Sequence, residues 1–301
     1  MKIGYVGLGK MGFNMVERLL ELGYQVVAFD PKRDAVHTIS KHGAEPTNSL
    51  EALAQAVPQP RLVWLMVPYQ AVDNVIAGLL PFLSKGDTLV DGGNSPYKQS
   101  IRRAREMEQQ GIAFLDAGVS GGPAGARKGA CIMVGGREEV FQQYEKLFRD
   151  LSVKNGYGRM GSSGAGHFVK MVHNGIEYGM MQAIAEGFAL LKSSPLSLNL
   201  VKIADVYNHK SVIESRLVGW LQEAFQEYGD ALREISGSVD YTGEGYWTVE
   251  AAKELGIPVP VIKQALSFRV DSHKAPSYTG QLLSAMRHQF GGHEVFKKGD
   301  K

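Results

Sequence analysis

The stretch KIGYVGLGKMGFNMVERLLELGYQVVAFD, residues 2–30, decides the fold of this chain. Its first residues are predicted to form a short strand, and the turn GLGKMG leads into a helix that Gly23 ends. A second strand follows and finishes on Asp30, eighteen positions after Gly12. This order of strand, glycine turn, helix, strand and acidic residue predicts a dinucleotide-binding βαβ unit.

The three glycines of the turn have different predicted roles. Gly7 permits the tight turn, Gly9 lets the backbone approach a pyrophosphate, and Gly12 lets helix and strand pack closely. The N-terminus of the helix then offers N–H donors to the phosphates. The predicted cofactor contacts in this turn are Gly7, Leu8, Gly9, Lys10, Met11 and Gly12.

Asp30 bears on the choice between NAD and NADP. A carboxylate at this position binds the ribose 2′-hydroxyl and repels a 2′-phosphate, which favours NAD. Lys32 and Arg33 follow almost directly, and either of them could bind a 2′-phosphate or simply be solvated at the start of the next helix. The sequence therefore favours NAD and leaves NADP open.

Further strands are predicted at residues 61–67 and 87–91, so the first half is expected to form a Rossmann-like, doubly wound α/β sheet. Ligands of such sheets lie beyond the carboxyl ends of the strands. Val67 and Pro68 stand at one such end, and Asn94 in the segment DGGNS stands at another. Asn94 is expected either to cap the next helix or to orient a ligand hydroxyl with its amide.

The segment FLDAGVSGGPAGARKGACIMVGG, residues 114–136, holds more glycines than strand packing explains. Ser120, Gly121 and Gly122 are candidates to bind a carboxylate through a hydroxyl and backbone N–H groups. A tight loop with a structural role only is the alternative.

The domain boundary is predicted near Gly161, which divides the chain into a dinucleotide-binding domain, residues 1–161, and an all-helical domain, residues 162–301. Residues 240–247, DYTGEGYW, are predicted to form a turn-rich loop, and the tail RHQFGGH is expected to be mobile. After the longest helix, further helical patterns cover residues 197–207, 215–227, 248–255 and 259–272.

The longest helical pattern covers residues 163–192, with Ser163 as a candidate cap. A stripe of five polar side chains lies on one face of this helix, and it is either a solvated surface or a substrate site. The stripe consists of Lys170, His173, Asn174, Glu177 and Tyr178. Glycines 175, 179 and 187 weaken the helix, and they predict that another backbone or a ligand approaches it closely.

Composition narrows the functional class. The 301 residues carry a net charge of +2 with acids and bases interspersed, so neither a nucleic-acid groove nor a polybasic membrane patch is expected. No apolar run is long enough for a membrane span, and the N-terminus does not resemble a secretory signal, so a cytoplasmic location is expected. Cys131, the one cysteine, lies in a predicted buried strand, and no histidine cluster suggests a metal.

The motifs GLGKMG, DGGNS and FLDAGVSGGPAGARKG, together with a lysine on the long helix, resemble the β-hydroxyacid dehydrogenase superfamily. Within it, KMVHNGIEYGMMQ resembles the decarboxylating 6-phosphogluconate dehydrogenase family, because the related small-acid reductases usually lack this histidine and glutamate. The resemblance covers essentially the whole chain, which is similar to the short members of the family.

This resemblance implies roles for single residues. Lys170 matches the general base and Glu177 the general acid. Arg269 matches the arginine that binds the substrate phosphate, while Arg287 and His293 match a pair that reaches the site from a partner subunit. Such sharing implies at least a dimer and leaves a tetramer open. The implied substrate contacts also include Asn94, Ser120, Gly121, Gly122, His173, Asn174 and Tyr178.

One segment departs from the pattern of the longer family members. Where they have a KGTGKW-like loop with a phosphate-binding lysine and threonine, this chain has TGEGYW at residues 242–247. The lysine is therefore missing, and Glu244 would repel a phosphate if it pointed inward.

The implied activity is oxidation and decarboxylation of 6-phosphogluconate to ribulose 5-phosphate and CO2, with NAD or NADP as acceptor and no metal. A neutral Lys170 would remove the C3 hydroxyl proton of the substrate, and after CO2 leaves Glu177 would protonate C1 of the enediol to give ribulose 5-phosphate. One alternative is a non-decarboxylating reductase of a small β-hydroxy acid, such as 3-hydroxyisobutyrate or tartronate semialdehyde. Another is a non-catalytic nucleotide-binding protein.

Overall fold

The computed structural model describes residues 1–241 and 243–292, which form two compact units. The first unit is Met1–Lys170, and the second begins at Met171. The first contains an α/β sheet with helices, and the described part of the second contains helices and no strand. This confirms the predicted fold class of a Rossmann-like sheet followed by a helical half.

The sheet of the first unit has eight strands in the order β3-β2-β1-β4-β5-β6-β7-β8. Neighbouring strands run parallel except β6 and β7, which are antiparallel. Ligand positions at the carboxyl ends of β1, β4 and β5 therefore share one edge. The strands are β1 (Lys2–Val6), β2 (Gln25–Phe29), β3 (Glu45–Pro46), β4 (Leu62–Leu65), β5 (Thr88–Asp91), β6 (Ala113–Ser120), β7 (Ala130–Gly135) and β8 (Ser152–Gly161).

Helices cover both faces of this sheet. In β4, Trp64 points into one core and its neighbour Val63 into the other, as the two-residue period of a strand requires. One core also receives side chains of α1, α2 and α7, and the other receives side chains of α3, α4 and α5. The helices are α1 (Lys10–Glu21), α2 (Arg33–Ser40), α3 (Leu50–Ala56), α4 (Tyr69–Leu79), α5 (Tyr97–Gln109), α6 (Gly122–Lys128) and α7 (Glu138–Leu151).

Helix α8 (Ala165–Ser193) confirms the long helix and runs from the first unit into the second. Its first turn rests on the sheet through Asp116 of β6, whose buried carboxylate accepts hydrogen bonds from the backbone N–H of Gly164 at 2.6 Å and of His167 at 2.9 Å. Asp116 thus takes the capping role predicted for Ser163. The ring of His167 is fixed as well, by a 2.7 Å hydrogen bond between its Nδ1 and the hydroxyl of Ser100.

The second unit is built from α8 and five further helices in the described range, and serine or asparagine side chains cap three of them. Two predictions are wrong here. Residues 243–247 belong to a helix rather than a loop, and the segment around Arg287 is a buried helix rather than a mobile tail. The helices are α9 (Leu200–Tyr207), α10 (Arg216–Tyr228), α11 (Gly243–Glu254), α12 (Pro260–Ser272) and α13 (Tyr278–Gly291).

At two of the three glycines of α8, the atoms that approach closely belong to side chains of other helices rather than to a backbone. A Cβ atom at Gly175 would lie 2.6 Å from Cγ2 of Thr248, and one at Gly179 would lie 3.2 Å from Cγ1 of Val261. At Gly187 it would meet no atom of the described residues within 4 Å.

Cys131 lies on β7 as predicted, but its side chain is exposed. Among the residues that the structure describes, none of the helices combines the length and apolar character needed to cross a membrane.

Two glycines of the same helix allow a matched test of its seating on the sheet. At Gly166, a Cβ atom would lie 2.5 Å from the carbonyl oxygens of Asp116 and Met133. We therefore expect Gly166→Ala to lower the free energy of unfolding by about 2–3 kcal/mol through overpacking. Gly187→Ala should raise it by about 0.5–1 kcal/mol, because alanine favours the helix and meets no obstacle. Urea unfolding followed by circular dichroism measures both, and equal effects would contradict the account.

Candidate active site

The glycine turn between β1 and α1 has one glycine that the fold itself does not require. Gly7 has a φ of +101°, and a Cβ atom there would collide with the carbonyl of Met66. A Cβ atom at Gly12 would collide with the carbonyl of Gly7. At Gly9 it would meet no atom of the described residues within 4 Å. Gly9 therefore suits a backbone that a ligand approaches, as the fingerprint predicts.

Asp30 is tied to this turn by its carboxylate. Oδ2 accepts a hydrogen bond from the N–H of Leu8 at 2.7 Å, and Oδ1 accepts one from the N–H of Lys32 at 2.7 Å. Each carboxylate oxygen has a further lone pair, so a ribose hydroxyl can still donate to it. Lys32 and Arg33 are exposed at the start of α2, and Lys10 is exposed at the start of α1 beside the half-buried Met11.

The ends of β4 and β5 meet beside the turn, as the sheet order requires. A Cβ atom at Gly93 would lie 2.6 Å from the carbonyl oxygen of Val67, the residue before the exposed Pro68. Asn94 is exposed here, two residues before Pro96, the N-cap of α5.

Buried Arg103 supports the turn that carries Asn94, and sequence reasoning missed it. Its guanidinium donates to Asp91 Oδ2 and to the hydroxyl of Ser95, both at 3.2 Å. Ser95 in turn donates to Asp91 Oδ2 at 2.7 Å. Arg103 lies three positions after buried Ser100 and four before buried Met107, so helical periodicity could have identified it as inward-facing.

The Ser120 loop and Lys170 meet at the end of β6. Gly121 and Gly122 have φ values of +127° and +62°, which only glycine adopts readily, and they join Ser120 to α6. Two residues before Ser120, a Cβ atom at Gly118 would collide with the stem of Lys170. The lysine stem thus lies on bare backbone, and the side chain is only 7% exposed. The structure therefore brings Lys170 to the strand that leads into the predicted carboxylate loop.

In the second unit, Tyr178 of α8 and Arg269 of α12 form a buried stack. The guanidinium carbon of Arg269 lies 3.4 Å from the centre of the Tyr178 ring, which is close enough for a strong cation–π contact. Arg269 is 1% exposed, and its Nε has no hydrogen-bond partner within the described residues. Burial lowers the pKa of Arg269 to about 10, which leaves it charged at neutral pH.

Arg287 of α13 joins this stack. Burial lowers the pKa of Arg287, whereas the nearby Tyr178, Asp240, Glu177 and Glu244 oppose that shift. The charge of Arg287 in turn contributes to the lowered pKa of Arg269, so the two cations lie close together. The resemblance implies that this arginine comes from a partner subunit, but here it lies within the unit that holds Glu177. His293 and Thr242 lie outside the described residues.

The structure also locates the other predicted substrate contacts on the polar face of α8. Asn174 is buried, and its Oδ1 lies 2.9 Å from Nδ1 of the half-buried His173. Glu177 is half-buried, one position before Tyr178. In the described part of the chain, no group of three or more His, Cys, Asp or Glu residues is arranged to hold a metal.

Substitutions at the exposed Gly9 and at the buried Gly12 of α1 should have different consequences for the first unit. Gly9→Ala should raise the dissociation constant for a nicotinamide dinucleotide at least tenfold, because the methyl group stands where a pyrophosphate would approach. Its melting temperature should stay close to wild type. Gly12→Ala should instead lower the melting temperature, since its Cβ collides with backbone. Calorimetric titration with NAD and NADP, paired with thermal melts, measures both, and unchanged binding by Gly9→Ala would contradict the assignment.

Comparison with known proteins finds a family model for each half of the chain. A family model described as the NAD binding domain of 6-phosphogluconate dehydrogenase matches residues 2–161. A second, described as the 6-phosphogluconate dehydrogenase C-terminal domain, matches residues 166–277. The first unit is therefore a nicotinamide dinucleotide-binding domain of a dehydrogenase.

Similar curated proteins carry the same family name. YqeC of Bacillus subtilis, provisionally named a 6-phosphogluconate dehydrogenase, is 48% identical over 99% of this chain and 100% of its own length. The NAD(+)-dependent, decarboxylating 6-phosphogluconate dehydrogenase of Haloferax volcanii is 42% identical, and the match covers both chains completely. The decarboxylating enzyme of Ovis aries is 36% identical over 99% of this chain and 64% of its own.

Solved structures show the same fold. The 6-phosphogluconate dehydrogenase of Plasmodium falciparum matches with a TM-score of 0.79 and 26% identity over 95% of this chain and 70% of its own. A 3-hydroxyisobutyrate dehydrogenase of Mycobacterium tuberculosis matches with a TM-score of 0.75 and 21% identity over 95% and 99%, which reflects the shared fold alone. With both family models and full-length relatives in agreement, the chain belongs to the 6-phosphogluconate dehydrogenase family.

Proposed function

We propose that this chain catalyses the oxidative decarboxylation of 6-phosphogluconate to ribulose 5-phosphate and CO2, with NAD as the preferred acceptor. The observation that carries the proposal is the combination of Lys170 and Glu177 on one helix with the buried arginine pair around Tyr178. A small β-hydroxy acid has no distal anionic group, and it would not require two buried guanidinium groups.

Lys170 is the general base in this proposal. Its stem is held against β6, and burial disfavours the ammonium form, so a neutral amine can take the proton of the C3 hydroxyl. When bound, the oxidised nicotinamide accepts the hydride from C3. After the carboxyl group leaves as CO2, the ammonium of Lys170 donates a hydrogen bond to the enolate oxygen.

Glu177 is the general acid that protonates C1 of the enediol left after CO2 departs, which gives ribulose 5-phosphate. It follows Lys170 by seven residues, about 10 Å along the axis of α8, so the substrate would lie along the helix. Arg269 and Arg287 would bind the distal phosphate, and His293 is retained as a contact by resemblance. The proposed contacts near the substrate carboxylate and hydroxyls are Asn94, Ser120, Gly121, Gly122, His173, Asn174 and Tyr178.

The preference for NAD rests on Asp30. Its carboxylate is fixed at the turn, where it would meet a ribose hydroxyl and repel a phosphate. The Haloferax volcanii relative is named as NAD(+)-dependent, whereas the Plasmodium falciparum structure contains NADP+. Exposed Lys32 and Arg33 keep NADP as the alternative acceptor.

A homo-oligomer, at least a dimer, is the proposed assembly, and the cytoplasm is the proposed location. Three apolar side chains on one face of α8 are exposed to solvent in the single chain, which is typical of an association surface. They are Ile176, Met180 and Leu190, with exposed fractions of 52%, 44% and 75%.

Turnover of 6-phosphogluconate tests the proposal. The purified protein should reduce NAD faster than NADP and release labelled CO2 from substrate labelled at C1. Lys170→Met keeps the stem but removes the amine, and it should lower kcat at least 100-fold, as should Glu177→Gln. Glu186→Gln, an exposed change on the same helix, is the control that should leave kcat unchanged.

Each outcome separates the candidates. Cofactor reduction without CO2 would favour the small-acid reductase, which needs Lys170 but not Glu177. Absence of turnover with either cofactor, despite tight dinucleotide binding, would favour the non-catalytic protein. Sedimentation of the same preparation as a single chain would contradict the proposed oligomer.

A further inference from the structure

Glu244 stands where the KGTGKW-like loop of the longer family members has its threonine, in the segment that lacks their phosphate-binding lysine, and it points into the protein. It lies in the first turn of α11 and is only 4% exposed. Burying a carboxylate is costly unless a positive charge or hydrogen bonds compensate for it. An acidic residue in a first helical turn also interacts favourably with the helix dipole, but an exposed glutamate would do so without that cost.

Close packing holds this turn against the arginine stack. A Cβ atom at Gly245 would lie 2.5 Å from Cε2 of Tyr178, so the backbone next to Glu244 touches the ring that carries Arg269. The hydroxyl of Thr248 ties the turn to α8, since it donates to the carbonyls of Glu244 and Met171, both at 2.8 Å.

The stack of Arg269 on Tyr178 contains buried positive charge that an anion would stabilise. Arg269 is buried, and its Nε–H donates to no group within the described residues. A buried donor without an acceptor is destabilising, and two guanidinium groups in one buried cluster repel each other. The cluster contains two cations, Arg269 and Arg287, and two carboxylates, Glu177 and Glu244. The ring of Tyr178 and the exposed Asp240 lie beside them.

We propose that Glu244 is an internal counter-ion of the Arg269–Arg287 pair, and that it sets the affinity of this site for the distal anionic group of the substrate. In the free protein its carboxylate offsets the charge of Arg287. A dianionic group that enters the site must compete with it. The segment that lacks the family's lysine thus carries a carboxylate of opposite effect, which weakens phosphate binding without removing the arginines that provide it.

This inference rests on the proposed function, because it takes the arginine pair as the site of the substrate phosphate. For that function, it gives Glu177 and Glu244 separate roles. Glu177 acts at the substrate carbon that becomes C1 of ribulose 5-phosphate, whereas Glu244 affects only how tightly the far end is held. Changes at Glu244 should therefore appear in KM rather than in kcat.

Sulfate binding to the full-length protein tests the proposal. Sulfate is the probe because, unlike a phosphate monoester, it does not titrate near neutral pH. By isothermal calorimetry, Glu244→Gln should bind sulfate at least about tenfold more tightly than wild type, since it removes a negative charge beside the anion. Glu244→Asp retains the charge and should resemble wild type. Glu254→Gln, an exposed change on the same helix, should also leave the affinity unchanged.

The results distinguish this inference from the proposed function. Equal sulfate affinities for wild type and a folded Glu244→Gln protein would overturn the inference even if 6-phosphogluconate is turned over. A lower melting temperature with unchanged sulfate affinity would assign Glu244 a structural role instead. Tighter sulfate binding by Glu244→Gln would uphold the inference even if turnover is absent, in which case only the substrate is misassigned.

Discussion

The first unit depends on one buried interaction, between the Asp116 carboxylate and the start of α8. Asp116 lies within the sheet, on β6, and binds the N–H groups of Gly164 and His167. A carboxylate at a helix N-terminus satisfies two donors that the helix itself cannot, and its charge suits the helix dipole. Because this carboxylate is fully buried, losing either hydrogen bond would leave a charge poorly compensated.

Glycines around this interaction set the position of Lys170, because they leave room for α8 to lie against the sheet. Gly135 and Gly166 allow strand and helix to approach so closely that a side chain at either position would collide with Asp116 or with backbone. One turn further along α8, the stem of Lys170 lies against Gly118, two residues before the Ser120 loop. The proposed base is therefore oriented by the sheet, while Glu177 belongs to the second unit and has arginines for neighbours.

Much of this could be predicted from sequence because the signals are local. The glycine turn, the strands of the sheet and the polar face of α8 each lie within one segment with a clear period. Asp116 was not found, since its partners are 48 and 51 residues away. Burial of Glu244 and Arg287 was missed for a related reason, because polar composition suggested a loop and a mobile tail where helices pack. Cys131 follows a strand pattern, which does not reveal that its side chain is exposed.

Amide hydrogen exchange at Gly164 and His167 in Asp116→Asn tests most directly whether this carboxylate fixes the start of α8. Asparagine keeps the shape but lacks one acceptor and the charge. At least one of the two amides should exchange roughly tenfold faster than in wild type or more, since hydrogen bonds to charged groups contribute about 1.5–3 kcal/mol. The amide of buried Ala185, farther along α8, should be unchanged. Wild-type exchange at both amides would contradict the account.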